Sequence, residues 1–148
     1  MSRSGADLAL LLLGGFRFMS AEASVRLTAR GHPGVRPAHD FALRAVAAGA
    51  ESVSDVGRRT SVSKQAAAKT VAFLEESGYV DRDPGTGRSA RLRVTDRGRS
   101  LMHEGEAVFD ELRAEWEAVA GHDKVADLQE SLVQLLGTDA PPLIEAES

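Results

Sequence analysis

The sequence predicts a mainly α-helical fold carrying one small β hairpin. Three observations lead there. Apolar residues recur at helical spacing over most of the chain, the period falls to two only between Tyr79 and Val94, and Gly, Pro, Ser or Thr marks each change of segment. At 148 residues, with 43% apolar and 27% charged residues, the chain has the size of one globular domain or of a small domain with appended helices. It contains no cysteine, which excludes disulfides, thiolate metal sites and cysteine nucleophiles together.

The first helix is expected from Ala6 to about Arg30, with the apolar run from Leu8 continuing at helical spacing through Phe16, Met19, Ala23 and Leu27. Gly14 and Gly15 each cost a helix about 1 kcal/mol relative to alanine, so they are expected to mark close packing. The uninterrupted apolar run from Leu8 to Gly15 is far shorter than the ~20 residues of a membrane span. Asp7 directly before it and the lack of a nearby small-x-small cleavage pattern argue against a secretion signal. The expectation is a buried helix in a cytoplasmic protein without a membrane partner.

Gly31, Pro33 and Gly34 stop this helix, and Pro37 suits the first turn of a second, with Phe41, Leu43 and Val46 inward and an end at Gly49. Ser52 or Ser54 caps a short third helix from Val53 to about Arg59, with Val53 and Val56 facing the core. After the turn Thr60-Ser61-Val62, Ser63 caps a fourth helix that runs to Ser77 and stops at Gly78. Its stripe Ala67, Thr70, Val71 and Leu74 faces inward, which leaves Lys64, Gln65, Ala68, Lys69 and Ala72 on the other faces. The hairpin follows: Tyr79 to Arg82, a turn at Asp83-Pro84-Gly85-Thr86-Gly87, then Ser89 to Val94 with Arg91 and Arg93 opposite Ala90, Leu92 and Val94. Thr95 or Asp96 caps a fifth helix carrying Leu101, Val108, Phe109, Leu112, Trp116 and Val119. A sixth, Lys124 to Leu136, repeats Val125, Leu128, Leu132, Leu135 and Leu136. Phe109, Leu112 and Trp116 are expected in a dimer core.

The net charge of −4 is unevenly spread. Residues 53–99 hold ten basic and six acidic residues, whereas residues 100–148 hold two basic and twelve acidic. A basic middle suits a nucleic-acid reader whose remaining helices serve another purpose, although random solvated charge explains it about equally well.

Three short helices followed at once by a basic hairpin describe a winged helix-turn-helix. A helix about 10–12 Å wide fits the major groove while a hairpin reaches the neighbouring minor groove. The residues that carry a more specific likeness are Arg36-Pro37-Ala38, Val53-Ser54-Asp55-Val56-Gly57-Arg58-Arg59, Val62-Ser63-Lys64-Gln65-Ala66, Leu74-Glu75-Glu76-Ser77-Gly78-Tyr79-Val80 and Val94-Thr95-Asp96-Arg97-Gly98. In this order and spacing the chain resembles the MarR family of bacterial transcription regulators over roughly residues 6–137.

The resemblance implies a homodimer built by the first, fifth and sixth helices, a winged lobe on each half of a pseudo-palindromic duplex operator, and repression relieved by a small aromatic or anionic effector. It divides the chain into an N-terminal dimerisation helix (1–34), a DNA-binding lobe (35–99) and C-terminal dimerisation helices with a frayed tail (100–148). The implied DNA contacts are Ser63, Lys64, Gln65, Ala68 and Lys69 on the fourth helix, with Arg88 and Arg91 of the hairpin. The effector pocket is expected between the first, second and fifth helices near Phe16, His39 and Phe41, with a plain surface role for His39 weighed against it. The chain departs from the family pattern in four places. Thr86-Gly87-Arg88 lacks the acid that would orient the arginine, Ala68 lacks a hydroxyl, Thr60 replaces a leucine, and Gly57 softens the third helix.

Other chemistries have little support. Asp83 to Ser89 lacks the spacing and ending of a phosphate loop. His32, His39, His103 and His122 form no ligand-spaced pair on one predicted helix, so no metal and no cofactor are expected. No catalytic constellation stands out, and no enzyme is expected. The alternative is a winged-helix module that associates with protein and has no DNA binding.

Overall fold

The computed structural model describes residues 4–84 and 90–137. Their elements run α1 (Gly5–Ala29), α2 (Pro37–Ala47), α3 (Val53–Thr60), α4 (Lys64–Glu76), β1 (Val80–Arg82), β2 (Leu92–Val94), α5 (Asp96–Ala120) and α6 (His122–Leu136). The mainly helical class with one hairpin is therefore the observed one.

Side-chain caps start most of these helices. Ser4 accepts from the Asp7 N–H at 3.1 Å while the Asp7 carboxylate accepts from the Ser4 N–H at 3.2 Å, a reciprocal box that gives Asp7 a structural reason to precede the apolar run. Ser52, rather than Ser54, caps α3 by accepting from the Asp55 N–H at 3.1 Å. Ser63 caps α4 through the Ala66 N–H, and Thr95 caps α5 through the Gly98 N–H.

Helices α2, α3 and α4 pack on one another, and α5 spans both this lobe and α1. The strands pair antiparallel with Val80 opposite Val94, Asp81 opposite Arg93 and Arg82 opposite Leu92. Leu92 also donates its N–H to the Glu51 carbonyl at 3.0 Å, which ties the hairpin to the segment before α3. Leu43, Val56, Ala67, Leu74, Tyr79, Leu101, Val108 and Leu112 are fully buried in a single core. Gly98 makes its tightest junction: a Cβ there would run into the Tyr79 carbonyl and lie 2.7 Å from Val94 Cγ1.

Several expectations are corrected. The first helix is not buried within the chain. Only Ala23 and Leu27 are buried along it, while Leu10 is 65% and Phe18 50% exposed. As a whole helix α1 is also long and apolar enough to cross a membrane by length and composition, because apolar residues between Phe16 and Leu27 extend the short run. It is nonetheless fastened to α5 by ion pairs: Arg26 to Glu111 (3.4 Å) and Glu115 (2.6 Å), and Arg30 to Glu104 (3.0 Å) and Glu111. Phe41 is half-buried, since Ala42 and Ala45 take the inward positions of α2. Leu112 lies in the core of the single chain rather than at an outer face, whereas Trp116 is half-buried and stacks on Phe18 at 6.4 Å. A Cβ added at Gly15 would lie 3.4 Å from the Trp116 ring, but one added at Gly14 would meet nothing within 4 Å. Gly57 serves close approach: a Cβ there would lie 3.3 Å from the Val62 carbonyl and 3.4 Å from Ala67 Cβ, where α3 meets α4. Thr60 keeps its buried site by donating its hydroxyl to the Val56 carbonyl at 2.8 Å.

Candidate nucleic-acid interface

The amphipathic pattern of α4 divides its residues cleanly. Ala67, Val71 and Leu74 are buried against α2 and α3, and Ser63, Lys64, Gln65, Ala68 and Lys69 are all exposed. The turn that presents this face is held by Ser61, whose φ of 57° ends α3 in a left-handed conformation and lets Ser63 begin α4 three residues after Thr60. Lys64 and Lys69 have no acidic partner among the described residues. The exposed face is therefore short, polar and positively charged, with Gln65 able both to donate and to accept.

The hairpin is different. Arg82 pairs with Glu75 at 3.0 Å, Arg91 with Glu51 at 3.4 Å, and Arg93 with Asp81 at 2.5 Å. Of the two hairpin residues expected at DNA, Arg91 is exposed but held by Glu51, while Arg88 lies outside the described residues. Arg93 is strongly fixed in its charged form by the Asp81 carboxylate.

A cavity of about 430 Å³ opens behind α4. Phe16, Arg17 and Ser20 of α1 form one wall, Arg36, Pro37, Ala38, Phe41 and Ala42 a second, and residues of α3 and α4 including Val56, Thr60, Ala66 and Thr70 the rest. Its position corrects the expectation, since α3 and α4 rather than α5 complete it. Phe16 and Phe41 both line it. His39 does not: its ring stacks on Phe73 at 3.8 Å, and its Nδ1 accepts from the Arg36 N–H at 2.9 Å to cap α2. Burial and the neighbouring Arg36 charge hold the His39 pKa below the ordinary imidazole value. Sequence reasoning missed Arg17, Ser20 and Arg36. Arg17 and Arg36 have no acidic partner among the described residues, and the buried Ser20 hydroxyl oxygen has no hydrogen-bond partner there. Arg36 carried a signal, since it directly precedes Pro37 in the motif. Nothing in the spacing of Arg17 and Ser20 marks them.

Helix-turn-helix, hairpin, exposed basic helix and flanking helices together define a winged helix-turn-helix protein. A family model described as MarR family matches residues 34–89. That segment resembles the MarR family, and the described chain shares its fold with MarR family proteins of known structure. The chain is 32% identical over 60 residues to the HTH-type transcriptional regulator BilQ of Clostridioides difficile, an alignment covering 39% of this chain and 40% of that protein's length. The Mycobacterium tuberculosis MarR family protein Rv2887 in complex with DNA superposes with a TM-score of 0.69 at 25% identity, covering 86% of this chain and 96% of that one. Its complex with salicylic acid gives 0.66 at 27% identity, covering 86% and 95%. A MarR family regulator from Rhodococcus sp. RHA1 shares the fold with a TM-score of 0.70 at 20% identity, covering 90% and 96%.

Proposed function

We propose that this chain is a cytoplasmic, homodimeric transcription regulator that binds pseudo-palindromic double-stranded DNA, acts as a repressor, and is released by a small effector. The observation that carries the reading is the outer face of α4, where Lys64 and Lys69 stand without acidic partners among the described residues, beside Gln65. Two unpaired cations one helix turn and a half apart suit phosphates flanking a base edge that Gln65 reads. Ser63 and Ala68 border the same groove. Arg91 exchanges its exposed Glu51 partner for phosphate, at little cost because surface pairs are weak, and Arg88 enters the minor groove. The complex of Rv2887 with DNA supports this use of the fold. A protein-association module would have no evident use for this unpaired basic face.

Dimerisation follows from the surface of α1. Leu8, Leu11, Phe16 and Phe18 are exposed, and Trp116 joins Phe18 to a groove between α5 and α6 lined by Val119 and Leu128. So much contiguous apolar surface suits a second copy of the same helices. Residues 1–34 and 100–148 thus form the dimerisation base around the DNA-binding lobe 35–99. The effector is an amphipathic anion: the cavity walls are apolar, and Arg17 and Arg36, without acidic partners among the described residues, offer guanidinium groups to a carboxylate. Rv2887 bound to salicylic acid supports this chemistry. Gel shift on genomic fragments, with and without aromatic acids, tests the proposal. Duplex binding that an acid weakens is expected, and retention of no fragment would overturn it.

A further inference from the structure

We propose that His32, Tyr79 and Arg97 form a proton-sensitive latch between the end of α1 and the base of the hairpin, and that proton uptake at His32 releases it and lowers DNA affinity. The second half rests on the DNA-binding reading above. His32 lies in the turn after α1 and is 4% exposed, with Nδ1 2.9 Å from the hydroxyl of the fully buried Tyr79. Arg97, in the first turn of α5, donates from Nη2 to the same hydroxyl at 3.2 Å and to the Gly31 carbonyl at 3.4 Å. Its Nε donates to the Ser77 carbonyl at 3.0 Å, and the guanidinium lies 4.7 Å above the Tyr79 ring.

A guanidinium only donates, so the Tyr79 oxygen is an acceptor toward Arg97 and must pass its own proton elsewhere. Among the described residues His32 Nδ1 is the partner for that proton, and the arrangement in which every group of the cluster is satisfied has a neutral His32 with its proton on Nε2. A proton on Nδ1 removes that acceptor, turns a second donor toward the Tyr79 oxygen and sets an imidazolium beside Arg97. The charged groups acting on His32 are Arg97 and Glu104, both of α5, and Glu104 is engaged by Arg30 at 3.0 Å. Burial first, and then Arg97, hold the His32 pKa below its ordinary value, against Glu104.

Tyr79 is the fixed side of the latch. Its carbonyl accepts from the Thr95 N–H at 3.0 Å, and Thr95 Oγ1 donates to the adjacent Gly78 carbonyl at 2.5 Å. His32 is the side that can leave, and with it the end of α1 parts from the hairpin base. In a dimer joined through α1 this changes the position of the winged lobe relative to its partner, and hence the match to half-site spacing.

Tyr79 is the sole tyrosine of the chain, so ¹³Cζ labelling gives a single signal. On titrating the full chain, that signal is expected to move with the His32 ring at a midpoint below about 6.5. It should stay flat in His32→Asn, which keeps an uncharged acceptor. In Tyr79→Phe, which deletes the hydroxyl that donates to His32 and accepts from Arg97, the His32 midpoint is expected to rise. A Tyr79 signal that is immobile, or equally mobile in His32→Asn, overturns the latch, as does an unchanged His32 midpoint in Tyr79→Phe. For the second half the probe is a labelled duplex recovered by the protein from a random pool. Wild-type affinity should fall more steeply than that of His32→Asn between about pH 7.5 and 5.5, because only the wild type gains a proton at this position. Parallel losses overturn the regulatory claim. A protein that retains no duplex at any pH overturns the DNA reading and the second half with it, while the Tyr79 titration still decides the first.

Discussion

At the scale of single residues, the exposed side chains of α4 separate attraction to the backbone from base readout. Lys69→Ala removes one cation that has no acidic partner among the described residues, so it should weaken binding to every sequence and lower the salt slope by about one unit. Gln65→Ala should instead cost on the order of 1–3 kcal/mol at one base position and leave the salt slope unchanged. Titrations at two salt concentrations over operators varied in the half-site distinguish the two. His39 makes a different prediction. Its Nδ1 accepts from the Arg36 N–H, and its pKa is lowered by burial and by Arg36, so the folded chain resists a proton that the unfolded chain accepts below about 6.5. Stability contributed by His39 is therefore present above that pH and lost as pH falls through it. His39→Gln, which keeps a capping acceptor but does not titrate, should flatten the decline in melting temperature between about pH 7.5 and 5.5. An equal decline in both proteins would remove His39 from this account.

At the scale of elements, caps and breakers made the order of segments legible. Ser63, Thr95, Pro37 and Gly78 each act locally, and each sits where sequence reasoning put it. Side-chain destinations that depend on a neighbouring element were less legible. Phe41 faces a cavity because two alanines of α2 fill the inward positions, and His39 turns to Phe73, a partner 34 positions away. Arg17 and Ser20 become cavity residues only when α1 crosses the lobe, which no spacing within α1 reveals. Gly98 looked like one piece of a motif, and its role is backbone contact between α5 and the hairpin. Gly98→Ala should therefore destabilise the chain by on the order of 3 kcal/mol, the cost of overpacking against a carbonyl that cannot move freely. Chemical denaturation checks this, and a near-neutral effect would show that the junction is looser than described.

At the scale of the whole molecule, exposed apolar surface on α1 and the groove between α5 and α6 suit the proposed second copy. Deleting residues 122–148 removes α6 and bares Trp116, so sedimentation should show loss of the dimer and aggregation. A well-folded full-length monomer at micromolar concentration would contradict the dimer. The charge layout agrees with the same division of labour, since the acidic residues of α5 are spent partly on Arg26 and Arg30 of α1 and the unpaired lysines lie on α4. The central claim is that two copies present their α4 faces to one duplex. Selection from a random duplex pool, carried out in parallel with wild-type protein and a Lys64→Ala, Gln65→Ala, Lys69→Ala triple variant, tests it most directly. The account predicts that wild type enriches an inverted repeat with half-site centres about 34–36 Å apart and that the folded variant enriches none. Enrichment of no sequence by wild type, or of the same repeat by the variant, would contradict it.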